Sequence, residues 1–376
     1  SGKKAVILGM DHKKSKGIKK NRIIDPNLLS TEIEKVYKIA NKNIKINSSF
    51  SNITDTNIFT KKSYTELETQ NFAITKKKIR EIYKKNVAEL NIKGRSLIHS
   101  FPDNFYLDKE KIVKDALGEK CKKFGFSSFN LLSDSRFLDD FKNCFTKKNI
   151  PINNFFDSGV ASAISNLTEN EKISGSVCID IGAFASKVVV FLKNKIIYVK
   201  NIPLGGDDVT SDISKGLEIS EEAAEVNKIV HGNLNTSYNE TIEIIISPNK
   251  KKKISKNVLY GIIKPRYDEI LEIIRDDLFD NIYARIGINN IVLTGGASKI
   301  FGIDHLSEQL FNRKSRIGKI NKNNSFFYNK PEFSTLLGLI ELTKNLEISN
   351  ISSHIYNNKF LSIFDRFDNW IEDSYA

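Results

Sequence analysis

Asp180 and Gly182 close a short apolar run, residues 177–181, that is long enough for a buried strand. Two more strand-like runs follow at 188–191 and 195–199, joined by Lys193-Asn194, a plausible turn. Then come Pro203, the pair Gly205-Gly206 and a helix start rich in Asp, Ser and Thr. A carboxylate at a strand end, a tight turn, a hairpin and a glycine pair before a helix make a candidate cradle for phosphate and magnesium. Backbone N–H groups in such turns bind anions, and a carboxylate holds the metal through water. The plainer reading of Asp180 is a carboxylate that caps a turn. Further on, Glu225 and Lys228 stand three apart on one helix face, as an ordinary surface ion pair also would. Residues 291–302 form the strongest single motif: a strand, the turn Gly295-Gly296, small residues from Ala297, then a helix from Ile303. Glycines there let the backbone approach a flat base or a phosphate closely.

These elements must be positioned by a larger α/β scaffold, and their order resembles one. The stretch 176–212 is similar to the second phosphate loop of the actin-like ATPases, specifically of the bacterial cell-division FtsA family. That family carries Asp-Ile-Gly-Gly-Gly-Thr-x-Asp, a hairpin, and then Ile-Pro-x-Gly-Gly-x-x-Val-Thr-x-Asp-Ile. The second half is kept at Ile202, Pro203, Gly205, Gly206, Val209, Thr210, Asp212 and Ile213. The first half keeps Asp180, Ile181 and Gly182, but Ala183, Phe184 and Lys187 replace two glycines and an acid. A bulky Phe184 departs from a loop whose backbone should touch phosphate. The motif at 291–302 matches the family's adenosine loop at Thr294, Gly295, Gly296, Ala297 and Gly302. Glu225 and Lys228 match the pair that faces the nucleoside. The resemblance implies ATP and Mg²⁺ as cofactors. Asp180, Gly182, Gly205, Gly206, Glu225, Lys228, Gly295, Gly296 and Ala297 would hold the nucleotide, and Asp180 the metal. It implies no catalytic residue, with slow turnover at most.

Composition agrees with a soluble globular chain: 376 residues, 40% hydrophobic and 27% charged. The net charge of +13 is spread along the chain, and no zinc, RNP or helix-turn-helix pattern accompanies it, so nucleic acid is not expected as a partner. Three cysteines, Cys121, Cys144 and Cys178, lack metal spacing and read as reduced thiols. No apolar run spans a membrane and no signal peptide is visible. The chain opens on Ser1-Gly2 with Met10 its only methionine, which reads as a fragment lacking its start.

The expected fold is α/β: the actin-like, two-lobed fold of the actin, chaperone and hexokinase group, with the FtsA-type inserted subdomain and a C-terminal amphipathic helix. In family terms, 1–61 is the first part of subdomain 1A and 62–119 the small subdomain 1C. Residues 120–175 return to 1A, with 125–132 as a strand before a helix at 135–145. Then 176–213 begins 2A, 214–282 is 2B, and 283–344 completes 2A. Residues 345–358 read as a flexible linker, and 359–376 as the terminal helix. Residues 5–9 read as a strand, and Pro26 opens a helix capped by Asp25. The segment 95–108 is similar to the family's 1C signature. Its His99, with no nucleophile nearby in sequence, reads as a packed strand histidine. Residues 155–171 read as a helix of small residues built for close packing. Residues 250–253 read as a solvated lysine loop, and Pro265 as lying near a helix start.

In the terminal segment Phe360, Ile363, Phe364, Phe367, Trp370 and Ile371 fall on one helical stripe. Such a stripe suits a helix lying in a membrane interface. Lys359 and Arg366 face four acids, so aromatic burial must dominate over attraction to anionic lipid. Docking on a protein is the alternative.

The family's role is to tether filaments of the tubulin-like protein FtsZ to the cytoplasmic face of the cell membrane at the division septum. ATP there controls self-assembly into filaments. The resemblance implies the acidic FtsZ C-terminal tail as partner, through Lys252 and Arg266, and other division proteins through 62–119. The rival reading keeps the scaffold and drops the nucleotide: a degenerate membrane adaptor, favoured by Ala183, Phe184 and Lys187. A sugar kinase or chaperone is disfavoured by the terminal helix and the inserted subdomain.

Overall fold

The computed structural model describes residues 7–349 apart from 21, 43, 91, 236–239, 249, 284–286 and 320–329. The chain divides into two compact units, Ser1–Asp157 with Leu339–Ala376, and Ser158–Gly338.

The first unit opens with the small ladder β1 (Ile18–Lys19) and β2 (Arg22–Ile23), then α1 (Pro26–Asn41). Asp25 caps α1 as expected, accepting from the N–H groups of Asn27 and Leu28. No strand is assigned to residues 7–9; the rest of the strand read at 5–9 lies outside the described residues. Next come β3 (Phe50–Ile53), β4 (Phe59–Glu68), α2 (Lys76–Ala88), β5 (Arg95–Leu107), β6 (Lys111–Val113), β7 (Lys123–Asp134), α3 (Ser135–Thr146) and β8 (Asn154–Asp157). β3 pairs β8 in parallel, whereas β4, β7, β5 and β6 form one antiparallel sheet in that order. The strand read at 125–132 and the helix read at 135–145 both form, as β7 and α3, and β7 lies in this four-stranded sheet. β7 is central between β4 and β5, and Phe124 to Leu132 is buried throughout, the continuous pattern of a strand covered on both faces. This sheet runs from Phe59 to Asp134. α2 places Ile79, Ile82, Tyr83 and Val87 over it at helical spacing, against Phe105, Phe124 and Phe126. His99 is 2% exposed, stacks on Phe101 and accepts from the Asp157 N–H. Pro102 lies where β5 has no partner on its outer side, beside a register shift.

The second unit holds α4 (Ser158–Asn166), α5 (Glu169–Ser174), β9 (Ser176–Ile181), β10 (Ser186–Leu192), β11 (Lys195–Ile202), α6 (Gly206–Leu217) and α7 (Glu221–His231). It continues with β12 (Thr241–Ser247), β13 (Lys250–Ser255), α8 (Lys256–Leu278), β14 (Asn290–Thr294), α9 (Ile303–Phe311) and β15 (Lys314–Ile317). α10 (Ser334–Ser349) begins in this unit. α10 runs through residues 345–349, which the sequence reading had placed in the linker; the rest of that linker lies outside the described residues. Five strands form one sheet in the order β11-β10-β9-β14-β15. β9 pairs antiparallel with β10 and parallel with β14. All six residues of β9 are buried, as befits a strand covered on both faces. The expected hairpin forms, with Lys193 and Asn194 at φ of 51° and 63°.

Two local readings change. Lys250 to Ser255 is not a loop but strand β13, paired with β12. The lysines face solvent, and the backbone ladder to the apolar β12 decides the conformation. Pro265 sits inside the 23-residue helix α8, not at its start. Its missing N–H costs about 3 kcal/mol. The buried stripe Leu259, Ile263, Tyr267, Ile270, Leu271, Ile274 and Leu278 runs through that point and outweighs it.

Candidate nucleotide site

Asp180 is the penultimate residue of β9, and the parallel ladder sets Thr294 of β14 directly beside it. The turns after these two strands therefore meet at the carboxyl ends of the sheet, where ligands bind in α/β folds. The first turn is closed by Gly182 N–H on the Ala185 carbonyl at 3.0 Å. The second places Gly295 at φ 88°, where a side chain would be strained. A Cβ on Gly295 would lie 2.3 Å from Asp180 Oδ1 and 2.4 Å from the Ile181 carbonyl oxygen. The two turns thus share one floor.

The glycine pair joins them. Gly206 and Asp207, at the start of α6, donate their N–H groups to the carbonyls of Gly182 and Ala183, both at 2.9 Å. A Cβ on Gly205 would meet those same carbonyl oxygens at 2.6 and 2.5 Å. A Cβ on Gly206 would meet the Ala297 Cβ at 3.0 Å and Lys228 Nζ at 3.5 Å. Glycine is required here because the helix start presses against both turns. The first N–H groups of α6 are accordingly engaged by the loop, and the acidic Asp207 and Asp208 stand beside them. Burial raises the Asp207 carboxyl above its usual range.

Glu225 and Lys228 lie on α7, which Ser220 caps. Lys228 Nζ reaches Glu225 at 2.6 Å, Thr210 Oγ1 at 2.7 Å and the Gly206 carbonyl at 2.8 Å. Thr210 also donates to Glu225. Tyr267, buried in α8, donates to the Ala297 carbonyl at 2.8 Å, and burial raises its phenol pKa. Gly296 is exposed, and the nearest atom a Cβ there would meet is 3.9 Å away. All nine residues expected to hold nucleotide are thus gathered within this one unit.

Asp180 itself is 3% exposed, and its Oδ2 is shared among three neighbours. Ser162 Oγ donates to its Oδ2 at 2.5 Å, and Thr335 Oγ1 lies 3.4 Å from the same oxygen. Lys187, its cross-strand neighbour on β10, brings Nζ to 3.4 Å from Oδ2 while itself only 8% exposed. Sequence reasoning saw Lys187 as a departure but missed this pairing, although a hairpin in that register makes the two neighbours. It also missed Ser162, whose helix of small residues it assigned to packing alone. A magnesium ion does not fit at this carboxylate. One oxygen is shut against Gly295, the other is shared by a hydroxyl and an ammonium, and among the described residues no cluster of metal-ligating groups forms.

Of the two basic residues expected to meet an acidic tail, Arg266 is engaged by Asp212 at 2.6 and 3.1 Å and also by Glu269. The Asp212 hydrogen bond raises its pKa further. Lys252 stands exposed on β13 opposite Ile244. The two lie on separate elements, and Arg266 has its charge balanced within the unit. The stripe from Phe360 to Ile371 lies outside the described residues.

The family model for "Cell division protein FtsA" matches residues 177–338, the span that contains all nine residues expected to hold nucleotide. The FtsA of Rhizobium meliloti is 24% identical over 98% of this chain and 87% of its own length. That of Bacillus subtilis is 26% identical over 89% of this chain and 77% of its own. The chain is similar to the FtsA family over nearly its whole length. These relatives indicate a cell-division protein of the actin-like family. A solved PilM–PilN type IV pilus biogenesis complex is similar in fold, with a TM-score of 0.59 at 15% identity over 86% of each chain. The α/β fold is thus the actin-like one. Among the described residues no helix is long and apolar enough to cross a membrane.

Proposed function

We propose that this chain is the membrane tether of the division ring: it binds FtsZ filaments, self-assembles under the control of bound ATP, and holds to the cytoplasmic face of the cell membrane at the septum through residues 359–376. Similarity to FtsA proteins along nearly the whole chain supports the division role. The observation that carries the nucleotide part is the convergence of the turn at Gly182, the turn at Gly295 and the α7 pair Glu225–Lys228 within one unit. The open face at Gly296 leaves room for a flat base beside Lys228, and Ala297 is braced from behind by Tyr267. Lys252, exposed on β13, suits an acidic peptide such as the FtsZ tail; Arg266 would have to exchange Asp212 for it.

Calorimetric titration of ATP into the full chain tests the nucleotide part, with Gly296→Val as the probe. The space at Gly296 predicts an unchanged thermal midpoint and an affinity lower by about tenfold or more, or ~1.4 kcal/mol. Equal affinity in the variant would remove the base from this turn. The second reading, an adaptor that binds no nucleotide, is favoured by the closed N–H groups at the start of α6 and by the Asp180–Lys187 pair. It predicts no heat with ATP in either protein.

A further inference from the structure

We infer that Lys187 is the resident cation of this site: its ammonium takes the charge-balancing place at Asp180 that a divalent metal would otherwise hold, so that a nucleotide polyphosphate binds here without metal. The ligand part of this inference rests on the nucleotide reading above; the cation part does not. Register comes first. Lys187 and Asp180 are direct partners across the β9–β10 ladder, so their side chains leave the sheet on the same face. The side chains also have nowhere else to go. Lys187 is 8% exposed and Asp180 3%, and a buried ion persists only when paired.

The surroundings are shaped to this pair. Gly182 carries no side chain where the ammonium lies, and a Cβ there would stand 2.8 Å from Nζ. On the opposite side the carboxylate is closed by Gly295, whose absent Cβ would fall 2.3 Å from Oδ1. Ser162 fixes Oδ2 at 2.5 Å and is itself held by Thr335 at 2.8 Å. A magnesium ion needs near-octahedral oxygen ligands at about 2.0–2.1 Å and retains several waters. It would have to displace the ammonium or sit beside it, and like charges at that separation repel strongly in a buried site. The ammonium supplies one positive charge and three donors, enough to balance Asp180 and turn a remaining N–H toward an anion above Gly182. The site is then metal-independent, and nothing in it polarises a water for hydrolysis.

Two measurements on the full chain decide this. ATP is titrated in excess MgCl₂ and in EDTA; equal affinities, within about twofold, are expected. Affinity that falls about tenfold or more in EDTA overturns the inference while leaving the nucleotide reading in place. In parallel, urea midpoints are measured for Lys187→Met, Asp180→Asn and the double variant. Each single change leaves a buried partner uncompensated and lowers the midpoint, and the double change recovers most of the loss. Additive losses overturn the pairing. If ATP binds in neither buffer, the nucleotide reading fails, and the urea series alone upholds or overturns Lys187 as the resident cation. A Lys187→Asp variant, which restores an acid, should gain thermal stability on adding Mg²⁺ where the native chain does not.

Discussion

The glycines, the acid and the lysine at the candidate site show how single residues act through what surrounds them. Gly205 and Gly295 are glycines because carbonyls and a carboxylate stand within 2.3–2.6 Å of where a Cβ would be. Their sequence motifs were readable, but the reason, close packing of two turns on a helix start, was not. Lys187 was legible as a replaced acid; only the cross-strand register shows that it answers Asp180. A second residue of this kind is Glu171. Its carboxylate closes the capping box at Thr168 and accepts from Arg316 at 2.7 and 2.8 Å and from Asn290 at 3.0 Å. Burial pushes its pKa up, but the Arg316 and Thr168 hydrogen bonds outweigh that and hold the folded carboxyl below the ordinary glutamate range. A carboxyl depressed on folding contributes stability above its unfolded pKa and loses it as pH falls through the folded value. Glu171→Gln should therefore cost about 1.5–3 kcal/mol at neutral pH and flatten the loss of stability below pH ~4.5. Urea midpoints across the acid range check both the size and the slope.

Elements were legible in proportion to how local their signals are. The β10–β11 hairpin could be read from two apolar runs and Lys193-Asn194, because turn chemistry is contiguous. β13 could not, because four lysines carry no alternation and the strand exists only through its ladder to β12. The partners of β7 were not legible for the same reason: a two-sided apolar strand looks alike in any covered sheet, and its partners are distant in sequence. Pro265 misled because a proline usually marks a helix start, whereas tertiary burial of one stripe carries α8 past it. The hairpin offers a test at this scale. Lys193 and Asn194 both hold left-handed backbone, a conformation that costs a non-glycine residue roughly 1 kcal/mol. Replacing them by Asn-Gly, the preferred pair for such a turn, should raise stability by about 1 kcal/mol. A thermal midpoint that stays put or falls would mean that the turn contributes nothing to setting the register of β10 and β11.

At the scale of the whole chain, the charge and the tail pull in opposite directions. The chain carries +13 overall, yet residues 359–376 hold four acids against Lys359 and Arg366. A basic body would bind anionic vesicles through its surface, in a way that salt screens within about 10 Å at ordinary ionic strength. A tail that works by burying Phe360, Phe364, Phe367 and Trp370 would instead bind zwitterionic vesicles as well, and salt would not release it. The proposed tether therefore makes a specific expectation. The full chain should co-sediment with phosphatidylcholine vesicles at high salt, and Trp370→Glu or removal of 359–376 should abolish this. If the shortened chain still pellets with anionic vesicles at low salt but not at high salt, the attachment belongs to the basic body. The tail would then be left for docking on a protein surface, the use its acidic polar face also fits.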